Sequence, residues 1–336
     1  MSDLARSADA ASDEVSGRAA QPPHRRFWWC GLVASSAWLA TAILCRYWPD
    51  LGEVGSASLL SSGLVAIAVA LLAATAVSAR IDLPRLRRAG PWLVVLPVLL
   101  GVWELASAKL NLLPRPFFAA PQSLLEVFTD DWARLVESTL HSVILLATGY
   151  IAGATLGFVT GLSIGWSRTI GYWVHPLLRF VGPLPATAWL PVAFFVLPSS
   201  WTAGVFLIAL ATGFPVTVLT WSGVASVNAA YYDVARTLGA SQRFLIMKIA
   251  IPAAMPSVFV GLFMGLGASF AVLVVAEMMG VKAGLGWYLT WAQGWAAYAN
   301  MYAALIVMAL MCSGLITLLF RLRDRLLSWQ RGLLRW

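Results

Sequence analysis

The sequence predicts an all-α integral membrane protein of about eight transmembrane helices. Three observations carry that prediction. Only 11% of the 336 residues are Asp, Glu, Lys or Arg, against about 25% in ordinary soluble domains. Hydrophobic residues make up 60% and mean hydropathy is +0.78, more apolar surface than a soluble fold of this size can hide. Charge-free runs also recur along the chain, on the scale of the roughly 20 residues that cross a bilayer core. The net charge of +8 reads as basic loops biased toward the cytoplasm, not as a nucleic-acid footprint. Cys30, Cys45 and Cys312 lie far apart in apolar stretches, so neither a disulfide framework nor a metal site is expected.

The elements follow in order. Residues 1–26, rich in Ala, Ser, Asp and Arg, read as a mobile tail. Between Arg26 and Arg46 lie 19 uncharged residues, and between Glu53 and Arg80 lie 26. The first run suits a retained helix better than a signal peptide, since no small-residue cleavage site follows Leu44. A third span runs from Ala89 past Glu104 to Ala108. Glu137 to Arg168 encloses 30 uncharged residues, enough for one long helix, and Arg179 to Asp233 encloses 53, which requires a hairpin broken at Pro198-Ser199-Ser200. Lys248 to Glu277 encloses 28 and Lys282 to Arg321 encloses 38. The expected spans are 27–47, 57–79, 91–109, 141–166, 177–197, 201–225, 253–278 and 300–321. With both termini cytoplasmic, 17 of the 23 Lys and Arg fall inside and five outside, which the positive-inside rule favours.

Several segments carry more than hydrophobicity. Gly149, Gly153, Gly157, Gly161 and Gly165 recur every four residues and make a side-chain-free strip about 24 Å long, expected to face another helix. Pro183, Pro185, Pro191 and Pro198 crowd the fifth span. This reads either as a bent helix lining a translocation pathway or as an irregular buried helix. Ionisable groups at membrane depth are few: Glu104, Arg179 and Glu277. A proton-coupled carrier or channel keeps such groups mid-span despite a cost of about 2.5–3.5 kcal/mol each, so those readings weaken. Arg179, with Pro185, Pro191 and Glu277, is a candidate pathway residue; Arg179 equally fits a boundary residue snorkelling to headgroups. No phosphate-binding P-loop is present. Trp287, Trp291 and Trp295 share a helical face, suited to a helix at headgroup level or to docking an external partner.

The loop between the sixth and seventh spans is the most specific segment. It reads Asp233-Val234-Ala235-Arg236-Thr237-Leu238-Gly239, then Ile249-Ala250-Ile251-Pro252. Two short helices are expected, with Asp233 in the first turn, Gly239 ending the first helix in a left-handed conformation, Ser241 capping the second, and Pro252 at the entry to the next span.

This segment resembles the cytoplasmic motif of permeases from binding-protein-dependent ABC importers: Glu-Ala-Ala, three residues, Gly, nine residues, Ile-x-Leu-Pro. Asp233, Ala235, Gly239, Ile249, Ile251 and Pro252 fall at the same spacing, with Asp for Glu, Val for the first Ala and Ile for Leu. The resemblance covers about residues 91–336 and is strongest to the nitrate/sulfonate/taurine-type branch. Leu113-Pro114-Arg115-Pro116, Pro121-Gln122-Ser123, Ala276-Glu277-Met278 and Gly284-Leu285-Gly286 support it. The chain departs from that pattern at Phe195-Val196-Leu197-Pro198, where the family usually has Phe-Gly-x-Gly and a Lys.

The resemblance implies a six-helix type I permease core at residues 90–336, with a coupling loop at 226–252. The extra N-terminal hairpin and its basic loop (27–89) would be peripheral. It implies a non-enzymatic transport subunit in the bacterial inner membrane, working as a homodimer by alternating access. A cytoplasmic ABC ATPase and an external substrate-binding protein would be its partners, with no cofactor and no nucleic acid. The implied cargo is a small anion such as nitrate, sulfonate or taurine. A secondary carrier, a channel, or the same machine carrying a non-anionic nutrient are the alternatives.

Overall fold

The computed structural model describes residues 28–51, 55–78, 84–114 and 116–330; the expected tail at 1–26 lies outside them. Among these residues the secondary structure is helical throughout. Seven helices are long and apolar enough to cross a membrane, or eight when one bent pair counts as a span.

The chain packs as two compact units, divided near Arg115 with residues 120–125 joined to the first. The first unit holds α1 (Trp29–Tyr47), α2 (Ala57–Ser78) and α3 (Pro84–Glu104). In packing terms the hairpin therefore includes α3, one helix more than the 27–89 segment. The reason lies in the prolines of α3. Pro97 has no N–H, so the Leu93 carbonyl lacks its helical donor, and the Trp38 indole of α1 donates to it at 2.9 Å. Thr41 of α1 donates to the Pro97 carbonyl at 3.0 Å. Ala34, Trp38 and Ala42 of α1 pack with Leu64, Ala68 and Leu71 of α2 in the buried seam.

The end of α3 widens into a π-helical turn, Leu105–Lys109. The extra residue in that turn rotates Lys109 toward the face of Glu104. Lys109 is buried, and its ammonium donates to the carbonyls of Cys45 (3.2 Å) and Trp48 (2.6 Å) and to Asp50 Oδ1 (2.6 Å). Glu104 stands 3.6 Å away as an ion-pair partner.

The second unit holds α5 (Trp132–Trp166), α6 (Arg168–Val181), α7 (Leu190–Val196) and α8 (Ser200–Ala225). Beyond these come α9 (Ala229–Thr237), α10 (Ile251–Met279), α11 (Leu285–Gly294) and α12 (Tyr298–Leu326). The helix α4 (Pro121–Asp130) leads into it. The core forms where Leu145 and Leu146 of α5, Leu207 and Ile208 of α8, and Leu266 and Leu273 of α10 meet.

The glycine strip of α5 lies on α8. A Cβ on Gly149 would stand 2.6 Å from Ile208 Cβ, one on Gly157 2.6 Å from the Gly213 carbonyl oxygen, and one on Gly165 2.7 Å from Val224 Cβ. At Gly153 and Gly161 it would collide with the backbone of Ala209 and Thr217. Both series ascend together, so α5 and α8 run parallel and an intervening segment must return across the same thickness. That segment is α6 with α7, bent by 85° across Gly182–Pro185. The expected fifth span at 177–197 thus begins earlier, at Arg168, and is broken in the middle. Its hairpin partner starts where expected: Ser199 and Thr202 form a reciprocal capping box at the head of α8.

Candidate functional site

The loop between α8 and α10 is built by local hydrogen bonding. Asn228 caps α9 by accepting from the Ala230 N–H at 3.0 Å. At the other end Gly239 takes φ +80, its N–H donates to Arg236 O at 2.9 Å, and the Ala240 N–H reaches back to Ala235 O at 3.0 Å. This is a Schellman stop, and it needs a residue that enters the left-handed region cheaply. Asp233 sits in the second turn of α9, not the first, because the helix begins at Ala229. Its charge is met by Arg236 at 3.2 Å, one turn away.

The second half of the loop differs from the two-helix expectation. Ser241 caps a turn at Gln242–Phe244, which continues through a π-helical stretch, Leu245–Ala250, directly into α10. Gln242–Met279 is one helix of 38 residues. Pro252 lacks the N–H that would bond four residues back, and the wider π turn absorbs that gap, with the Ile251 N–H donating to Ile246 O. Ile249 and Ile251 are half-buried on this stretch. Ala235 is half-buried, while Tyr231, Val234 and Leu238 project outward, Leu238 with 83% of its surface exposed. Burial lifts the Tyr232 hydroxyl above its ordinary pKa, partly offset by Arg236, and its ring meets Trp166 edge-on at 5.8 Å.

At the far end of α10 a second constellation forms, in which the sequence singles out Glu277, Leu285, Gly286 and Trp291 but not Ser142, Asp131, Tyr288 or Asn300. The Glu277 side chain is buried. Its Oε1 accepts from Ser142 Oγ of α5 at 2.7 Å and its Oε2 from the Gly286 N–H at 2.8 Å. Ser142 Oγ in turn accepts from the Leu285 N–H at 2.8 Å. One carboxylate and one hydroxyl thus hold the first turn of α11, whose free N–H groups and positive dipole end favour a negative charge there. Nearby, buried Tyr288 donates to Asp131 Oδ2 at 2.7 Å, and Asn300 donates to the Tyr288 oxygen at 2.7 Å. Burial, reinforced by Asp131, pushes the Tyr288 hydroxyl above its ordinary range. Trp291 lies under Arg134, 4.8 Å from its guanidinium. Trp287 is half-buried, and Trp295 follows the end of α11 with 73% exposed.

The remaining pathway candidates lie on the broken span. Pro185 ends the break and Pro191 opens α7. Arg179 sits near the end of α6 and lines a groove of about 760 Å³. The structure gathers Arg179 and Pro185 near one break, while both oxygens of Glu277 are bonded inside the bundle. Among the described residues no cluster of His, Cys, Asp and Glu has the makeup of a metal site.

Residues 153–332 match the family described as the binding-protein-dependent transport system inner membrane component. The chain belongs to that family. It is thus a multi-pass membrane permease subunit of an ABC importer, not a catalytic one, and its family works with an ATPase and a substrate-binding protein. The permease is 29% identical to the nitrate import permease protein NrtB of Synechococcus elongatus, over 75% of this chain and 92% of the relative. It is 31% identical to the bicarbonate transport system permease protein CmpB of the same species, over 59% and 69%. To the putative aliphatic sulfonates transport permease protein SsuC of Bacillus subtilis it is 27% identical, over 57% and 69%.

Proposed function

We propose that this permease imports a small anion, of the nitrate, bicarbonate or sulfonate type, and that α9 with its Gly239 stop is the surface an ATPase subunit grips. The observation that carries this is the α9 tip. Tyr231, Val234 and Leu238 are presented to the outside of the bundle by a defined stop, and exposed apolar residues of that kind serve a partner. The family's Gly239, Ile249, Ile251 and Pro252 spacing makes that partner the ATPase. Both termini then share the cytoplasmic side with α9, and the α11 end faces the binding protein. The anion class rests on the three relatives, which are named for nitrate, bicarbonate and aliphatic sulfonate transport.

Two copies enclosing one pathway suit the family's alternating access, in which ATP-driven closure of the ATPases tilts the two permeases through their coupling loops. The test is reconstitution of the permease with its neighbouring ATPase and binding protein in vesicles. ATP-dependent uptake of labelled nitrate, bicarbonate or an alkanesulfonate is expected. Uptake confined to neutral or cationic solutes refutes the anion class, and failure of the ATPase to co-purify refutes the docking role.

A further inference from the structure

We propose that the groove between α6 and α8 is an anion subsite, in which Arg179 and His175 receive a small oxyanion during its passage. This deepens, and rests on, the anion-import reading above. The depth of the groove follows from two contacts. The His175 ring lies against Trp221 with centroids 4.4 Å apart, and a Cβ on Gly182 would collide with the Phe214 ring. Seven residues along α6 therefore match seven along α8 in the opposite direction. Arg179 falls level with Thr217, eight residues inside the Ala225 end of α8, or about 12 Å from it. At that depth a guanidinium is costly unless it faces water or a counter-charge.

The fold opens a groove beside Arg179 and withholds the counter-charge. Arg179, His175, Gly182, Phe214, Val218 and Trp221 all line the same groove of about 760 Å³. Among the described residues no carboxylate pairs with Arg179. The span breaks at Gly182–Pro185 beside it, and irregular backbone at membrane depth persists only where protein or a wet cavity covers it. His175 and Arg179 are one helical turn apart, so both point to the same side of α6. The result is a fixed positive charge and an imidazole between aromatic walls, a lining matched to a delocalised oxyanion and mismatched to a cation. Because the site has one fixed charge and an open side, it releases what it binds.

An oxyanion can come from the transported solute or from a lipid phosphate, and one experiment separates them. In the full assembly in nanodiscs, with Cys30, Cys45 and Cys312 replaced by Ala, Val218→Cys is labelled with anionic and cationic methanethiosulfonates. With Arg179 present the anionic reagent is expected to react about tenfold faster relative to the cationic one, and added nitrate or bicarbonate should slow it. Arg179→Gln should abolish both the preference and the protection, while Arg179→Lys keeps the preference. Equal rates for the two reagents, or shielding that ignores added anion and disappears in detergent, overturn the proposal, the latter assigning Arg179 to lipid phosphate. Anion uptake combined with equal rates removes the groove and leaves the transport reading. A preserved preference without anion uptake does the reverse.

Discussion

Gly239 shows how a single residue can be fixed by conformation alone. A Cβ there would meet nothing within 4 Å, so space is not the constraint; the positive φ is. A β-branched side chain in that region costs about 1–2 kcal/mol, which would be spent by unwinding the last turn of α9 and redirecting Leu238. Gly239→Val should therefore reduce transport and the stimulation of ATP hydrolysis several-fold while the membrane bundle stays folded. Gly239→Asn, which tolerates the left-handed region, should retain most of both. Measuring uptake and ATPase rates on the same vesicles checks this, and normal coupling in the Val variant rules the role out. This residue was legible in the sequence because its partners, Ala235 and Arg236, are its neighbours. Ser142 was not, since the group it serves lies 135 residues away and no local pattern connects them.

Among the elements, the α5 strip and the α1–α3 latch were read with different success for a physical reason. A run of five glycines announces close backbone approach by its period, although the partner, α8, is set by topology. At Gly157 the neighbour is the Gly213 carbonyl, which cannot step aside. Gly157→Leu should separate α5 from α8 and prevent stable insertion, whereas Gly267→Leu, where a Cβ meets nothing within 4 Å, should be tolerated. Fluorescence-detected size exclusion of both variants checks this. The latch was not legible: Lys109 counts in a sequence as a loop charge, and only folding buries it against Asp50 and Glu104. This changes what truncation should do. Deleting residues 1–89 removes the Cys45 and Trp48 carbonyls and Asp50, leaving Lys109 and Glu104 with no third partner, and it also strips Leu93 O of the Trp38 indole. Breaking such a buried pair costs about 3–5 kcal/mol. The truncated chain should lose thermal stability to the same extent as Lys109→Met in the full chain. Full stability in both would make the hairpin dispensable.

At the scale of the molecule, one continuous helix joins the two constellations of the second unit. Gln242–Met279 has 38 residues, about 57 Å at 1.5 Å per residue. It begins at the Ser241 cap behind the α9 stop and ends at Glu277, which grips the first turn of α11. A displacement imposed at one end of such a rod reaches the other only if the far end is fastened. Glu277 fastens it by accepting two hydrogen bonds with two oxygens. Glu277→Gln keeps the shape but puts an NH₂ where one acceptor stood, so either Ser142 or the Gly286 N–H loses its partner, at a cost of about 1–3 kcal/mol. If α10 transmits motion between the ends, this variant should raise the number of ATP molecules hydrolysed per solute imported, because closure of the ATPases continues while α11 follows less faithfully. If Glu277 only staples the fold, melting temperature falls and that ratio stays at the wild-type value. Ser142→Ala removes the same link from the other side, sparing the carboxylate, and should shift the ratio in the same direction. Measuring hydrolysis and uptake in one preparation, beside the melting curve of each variant, separates the two roles; an unchanged ratio in both variants would end the claim that α10 carries the stroke.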